Sequence, residues 1–163
     1  MSKLALVTGA TSGIGRAFAD RLAADGYDLI AVGRNTERLD QLVEARPDVK
    51  ISPVAADLST LDGIRAVADL AAAEPVDLLV NNAGVAHYMP LAELPADKAA
   101  ELVMVKVLAP TLLTRAVVGG MQQRGSGAIV NVGGMIAFSG PAPSTVMPRR
   151  AVYAGALADL LAF

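Results

Sequence analysis

The 163-residue sequence contains no cysteine and a single histidine, His87. Disulfides, thiolate metal ligands and a histidine-based zinc cluster are thereby removed, so no metal site is expected. An excess of one charge is also missing: 14 basic residues face 16 acidic ones, a formal net charge of −2. That balance lacks the basic field a nucleic-acid surface needs, and no nucleic-acid partner is expected. Aromatic residues make up only 4% of the chain. Long apolar runs are absent too. The apolar segment 4–7 is too short for a signal-peptide core, and the longest helical apolar stretch, 102–118, is interrupted by Lys106, Pro110 and Arg115. The expectation is a cytoplasmic protein whose apolar stretch is a core helix, with no membrane partner.

What is abundant is aliphatic: hydrophobic residues reach 53%, and the length suits one core-bearing domain over residues 1–163. Short runs rich in Val, Ile and Leu alternate with helical patterns, the arrangement of βαβ units around a parallel sheet. The fold class is α/β, with strands expected at 4–7, 28–32, 50–55, 76–80 and 128–132. Helices are expected at 14–24, from Asn35 as N-cap to before Pro47, and at 61–73 before Pro75. The pattern from 95 to 124 is helical again, but Pro110 has no N–H for the carbonyl of Lys106, which predicts a kink or a hydrated carbonyl near Lys106. Residues 133–148 read as a loop, and a last helix starts near Arg150.

The first strand runs into Thr8-Gly9-Ala10-Thr11-Ser12-Gly13-Ile14-Gly15, which opens a helix. Glycines permit a tight turn and close backbone approach, and a helix N-terminus offers unpaired N–H groups to a pyrophosphate. The fourth strand ends in Asn81-Asn82-Ala83-Gly84. With the glycine spacing, this second motif gives a chain that resembles the short-chain dehydrogenase/reductase family over essentially its whole length. The resemblance implies a Rossmann-type doubly wound parallel sheet, incomplete because family members continue with another crossover, further strands and a substrate-binding region. It places Thr8, Gly9, Ser12, Gly13, Ile14 and Gly15 around the cofactor's phosphates and ribose, Asp57 and Leu58 beside the adenine, and Asn81, Ala83 and Gly84 along the same edge. Taken alone, Asp57 also reads as a turn or capping residue, and Asn81 and Asn82 as strand-end hydrogen-bonders. Where the family grips the ribose of NAD with an acidic residue, this chain has Arg34-Asn35, and an arginine there can hold a 2′-phosphate. The cofactor expected is NADP(H).

In the family, hydride transfer between nicotinamide and a carbonyl or alcohol uses Asn, Ser, Tyr and Lys. Tyr153 matches the tyrosine, but Leu157 stands where the lysine belongs, Lys106 where the asparagine belongs and Gly134 where the serine belongs. Counting back from Tyr153 lands nearer Ser139, a substitute candidate. A tyrosine with its usual pKa of roughly 10 carries about one phenolate per thousand molecules at neutral pH, so ordinary turnover is expected to be weak or absent. Three functions follow: an impaired NADP(H)-dependent reductase on a small carbonyl or alcohol, a non-catalytic cofactor-binding or interaction module, or a repurposed amine catalyst in which Lys106 forms a Schiff base with a carbonyl compound, as in retro-aldol chemistry. His87 and Tyr88 read as a loop pair. The resemblance and the apolar end at Phe163 imply self-association into a homo-oligomer.

Overall fold

The computed structural model describes residues 2–138 and 150–163. Five parallel strands, β1 (Leu4–Thr8), β2 (Asp28–Gly33), β3 (Ile51–Ala55), β4 (Leu78–Asn81) and β5 (Ala128–Asn131), form one sheet in the order β3-β2-β1-β4-β5. Alternation along each strand divides the core between the two faces. Leu6, aligned with Ile30 and Leu79, joins Ile64, Val67, Leu113 and Val117 on one face. Ala5, Val7, Ala31 and Val80 join Ala19, Leu22, Leu39 and Leu42 on the other. Helices α1 (Gly13–Ala24) and α2 (Thr36–Ala45) cover this second face; α3 (Leu61–Ala73) and α5 (Ala109–Arg124) cover the first. The strand order reverses between β1 and β4, and a doubly wound sheet opens its crevice at that reversal.

Local chemistry fixes the element boundaries. Asn35 caps α2, its Oδ1 accepting from Arg38 N at 2.8 Å, and Thr60 caps α3 by accepting from Gly63 N at 3.1 Å. The fourth strand starts two residues later than the sequence implied, because Val76 N turns back onto Glu74 O. Asp77 anchors the entrance instead: its backbone N–H donates to Leu4 O and its carboxylate accepts from Leu4 N at 2.9 Å.

The helix expected over 95–124 comprises α4 (Ala96–Val103), a π turn at Met104–Leu108, and α5. The expected kink is this π turn: Ala109 N donates to Met104 O, five residues back, and one wide turn absorbs the donor that Pro110 lacks. Thr111 Oγ1 donates to the carbonyl of Val107 at 2.8 Å. One expectation is corrected here. By length and composition the continuous helix Ala96–Arg124 would cross a membrane, despite Lys106 and Arg115. Its buried Leu102, Ala109, Leu113, Val117 and Met121 account for that apolarity through packing within the domain. The last helix, α6 (Ala151–Ala162), packs on α4, on the π turn and on a 3-10 turn at Met135–Phe138 that lies in the stretch read as loop.

Candidate dinucleotide cleft

A cleft of about 250 Å³ opens at the carboxyl ends of the strands, where the sheet order reverses. The β1–α1 turn contributes Gly9, Thr11 and Ser12; the end of β2 and the start of α2 contribute Gly33, Arg34, Asn35 and Arg38. Ala56, Asp57 and Leu58 follow β3, Ala83, Gly84 and Val85 follow β4, and Val105 of the π turn completes the wall. Of the residues expected to hold the cofactor, Gly9, Ser12, Arg34, Asn35, Asp57, Leu58, Ala83 and Gly84 are brought together here. Thr11, Gly33, Arg38, Val85 and Val105 join them without having been read from the sequence.

Thr8, Gly13, Ile14, Gly15 and Asn81 sit beside that lining. Thr8 is buried and braces the turn: its hydroxyl donates to Val80 O and accepts from Asn82 N and Ala83 N at 2.9 and 3.0 Å. Asn82 returns the contact, its Nδ2 donating to Thr8 O at 2.9 Å. The two motifs are therefore one hydrogen-bonded unit. Gly15 is needed for close approach, since a Cβ there would overlap the carbonyl oxygen of Gly9. Gly13 has φ +52° with open space where a side chain would project, and Ile14 is exposed beside it. Asn81 is buried; its Nδ2 donates to Asn131 Oδ1 at 2.9 Å and to Thr114 Oγ1 at 3.3 Å, tying β4 to β5 and α5.

Helix α1 differs from α2 and α3. Ser12 occupies its N-cap position yet makes no capping hydrogen bond, whereas Asn35 and Thr60 do. The first-turn N–H groups of α1 stay free of a side-chain cap, with the positive end of its dipole, next to Ser12 of the cleft lining. Arg34 and Arg38, both exposed, add positive charge at the β2 end. Asp57 faces them with its carboxyl held below the usual carboxylate range, chiefly by the backbone N–H and hydroxyl of Ser59 and less by the charge of Arg34. The turn-residue reading of Asp57 and its place on the cleft thus hold together.

The positions that the resemblance assigns to proton transfer lie on the π turn, after β5 and on α6. Tyr153 stacks edge-to-face on Tyr88, ring centroids 5.4 Å apart at 82°. Burial first, then the neighbouring Tyr88, push its phenol above the usual range. Leu157 is 1% exposed, and a Cβ added at Gly134 would lie 3.2 Å from Leu157 Cδ1. The residues standing for the family's lysine and serine therefore adjoin each other and fill their shared space with hydrocarbon. Lys106 is 7% exposed, and burial alone pulls its ammonium pKa below the usual range. Ser139 lies outside the described residues. His87 is more than a loop residue: its Nε2 and Lys98 Nζ each lie 3.0 Å from Glu101 Oε2, pinning the loop after β4 to α4. No cluster with metal-ligand character occurs among the described residues.

This sheet order, with an uncapped glycine-rich helix start at its reversal, is that of a Rossmann-type doubly wound α/β domain. The family described as short chain dehydrogenase matches residues 3–154, and the chain belongs to that family. It is 40% identical over 144 residues to a short chain dehydrogenase of Pseudocercospora fijiensis, covering 83% of this chain and 46% of that one. It is 35% identical over 166 residues to a very-long-chain 3-oxoacyl-CoA reductase of Laccaria bicolor, covering 98% and 47%. Among solved structures, a short-chain dehydrogenase from Sphingobium yanoikuyae in complex with NADPH superposes with a TM-score of 0.89 at 33% identity, covering 98% of this chain and 62% of that one. The chain spans about half the length of the curated relatives it matches.

Proposed function

We propose that this chain binds NADP(H) in the cleft and that its ordinary hydride transfer between nicotinamide and a carbonyl or alcohol is weak or absent. The observation that carries the binding half is the uncapped N-terminus of α1 facing a cleft whose far end holds Arg34 and Arg38. The α1 amides and Ser12 would take the pyrophosphate; the guanidiniums would take the 2′-phosphate that distinguishes NADP from NAD. The NADPH in the Sphingobium relative supports this choice. When bound, the nicotinamide supplies or accepts the hydride; the protein must then move a proton at the substrate oxygen. Tyr153 is the group for that proton, and here no lysine lowers its pKa while burial raises it.

A second reading, a non-catalytic cofactor-binding module, is favoured by the hydrocarbon fill of Leu157 beside Gly134. The reductase names of the relatives point to carbonyl substrates as the class. We also place the chain in the cytoplasm and expect self-association, since Met135, Phe138, Leu161 and Phe163 are all exposed apolar residues.

Calorimetric titration with NADPH and NADH, followed by turnover on a panel of small ketones, tests the reading. NADPH is expected to bind more tightly, and Arg34→Ala to cut that preference about tenfold, the size of one charge-assisted contact. Equal affinities in the native chain would overturn the assignment. Robust NADPH-dependent reduction would overturn the impaired half alone.

A further inference from the structure

A lysine buried to 7% exposure normally meets a carboxylate or a ring of carbonyls, because an unpaired ammonium in an apolar site is costly. Lys106 meets neither: among the described residues no hydrogen bond or ion pair reaches its Nζ, and no neighbouring charge offsets the effect of burial. Of the titratable groups on the elements packed against the π turn, Glu101 is paired with His87 and Lys98 and Tyr153 packs on Tyr88, while Asp97, Arg115 and Asp159 exert no resolved effect on the Lys106 ammonium. Nor is the amine sealed in the core. It lies directly against Gly84, where an added Cβ would overlap both Nζ and Cε, and Gly84 is exposed on the cleft wall between Ala83 and Val85. Only a glycine separates the amine from the cleft.

We propose that Lys106 is a carbonyl-capturing amine that takes small, uncharged aldehydes from the cleft as a reversible imine. The neutral Nζ attacks the aldehyde carbon, forming the N–C bond of a carbinolamine. The carbonyl oxygen then leaves as water, carrying the two protons lost by nitrogen, and the C=N bond remains; no electrons are exchanged. Charged aldehydes are disfavoured because the wall at this point is Ala83, Gly84, Val85 and Val105. Burial also keeps water from the imine, which slows its hydrolysis. The activity is independent of the reductase reading, since it needs neither a hydride nor the phosphate contacts.

The test is reductive trapping of the native chain with propanal and cyanoborohydride at pH 7.5, mapped by peptide mass spectrometry. The sequence holds four lysines, so Lys3, Lys50 and Lys98 are internal references. Burial disfavours the ammonium of Lys106, so a larger share of it is the uncharged, reactive amine than for a lysine in water. Lys106 is expected to label severalfold faster than the other three. Gly84→Ala, whose methyl would fall on Nζ and Cε and so displace the amine from the cleft wall, is expected to slow labelling at Lys106 and leave the references unchanged. Labelling spread evenly over the four lysines, or slowest at Lys106, would overturn the proposal; an unaltered rate in Gly84→Ala would overturn the cleft route. NADPH titrated into the same preparation separates the two readings: failed binding with selective Lys106 labelling sinks only the cofactor assignment, and binding without labelling sinks only this one.

Discussion

The cleft formed by β1, β2 and β4 and the tyrosine region formed by the π turn, the segment after β5 and α6 lie in one domain but are built by different means. The cleft depends on backbone: amides at an uncapped helix start, a turn that tolerates no Cβ at Gly15, and the Thr8–Asn82 brace between two strands. The tyrosine region depends on side chains, and the positions that the resemblance assigns to proton transfer hold a leucine adjoining a glycine and a buried lysine with no hydrogen bond or ion pair among the described residues. Backbone sites survive substitution of their side chains, whereas a proton relay is lost with one or two of them. Binding and chemistry are consequently separable in this fold, and a chain can keep the first while discarding the second.

The most forceful way to probe that division is to put the family's lysine back. Leu157 is 1% exposed on a helix that packs against the π turn bearing Lys106, so Leu157→Lys buries a second ammonium near the first. Destabilisation of about 3 kcal/mol in urea unfolding is expected, within the range for an uncompensated buried charge. Turnover is not expected to return, because Gly134 still lacks its hydroxyl. A stable, active Leu157→Lys protein would mean that the tyrosine region is an intact site with one residue missing.

The opposite change at Lys106 should stabilise. Lys106→Met keeps the volume and removes the desolvated charge, an expected gain of about 1–2 kcal/mol at neutral pH. The sign with pH follows from the depressed pKa. The unfolded chain holds the proton more tightly, so the native protein is penalised at low and neutral pH and regains stability as pH rises toward the unfolded value near 10.5. The gap between native and Lys106→Met melting temperatures should therefore narrow in alkaline buffer. A constant gap would indicate that packing, not charge, separates the two.

The same division explains what could be read from the sequence. Strand periodicity, the capping residue Asn35, the prolines that end helices and the glycine turn are local signals, and they located the sheet, the helices and most of the cleft. The break in the long helix was local too: Pro110 gave the kink near Lys106 that the structure forms as the π turn. Residues brought in by the fold were not legible. Thr11 reaches the cleft because β2 ends in Gly33, where a Cβ would lie 2.6 Å from its Cγ2, and no sequence window contains both residues. Arg38 lay hidden as an ordinary charged helix residue, although its place one turn after Arg34 was a usable signal. The contact between Gly134 and Leu157 and the position of Lys106 against Gly84 are tertiary facts joining segments more than twenty residues apart.

The smallest expected effect concerns the aromatic pair that borders the tyrosine region. Tyr153 is half-buried with its ring at 5.4 Å from that of Tyr88, which is itself largely exposed. Burial is the first cause of its raised phenol pKa and Tyr88 the second, so removing Tyr88 both opens the ring to water and deletes a competing phenol. Tyr88→Ala should lower the pKa of Tyr153 toward the ordinary tyrosine range, the smallest of these effects because burial is the larger cause of the shift. The chain has three tyrosines, so ultraviolet titration against a Tyr153→Phe reference isolates the transition. Because the folded pKa lies above the unfolded one, the stability Tyr153 contributes is complete below the unfolded value and is lost as pH rises through the folded one; Tyr88→Ala should shift that loss to lower pH. A Tyr153 transition that stays put in the variant would assign the shift to α6 and the π turn alone, and would leave Tyr88 as a surface ring with no hold on the retained tyrosine.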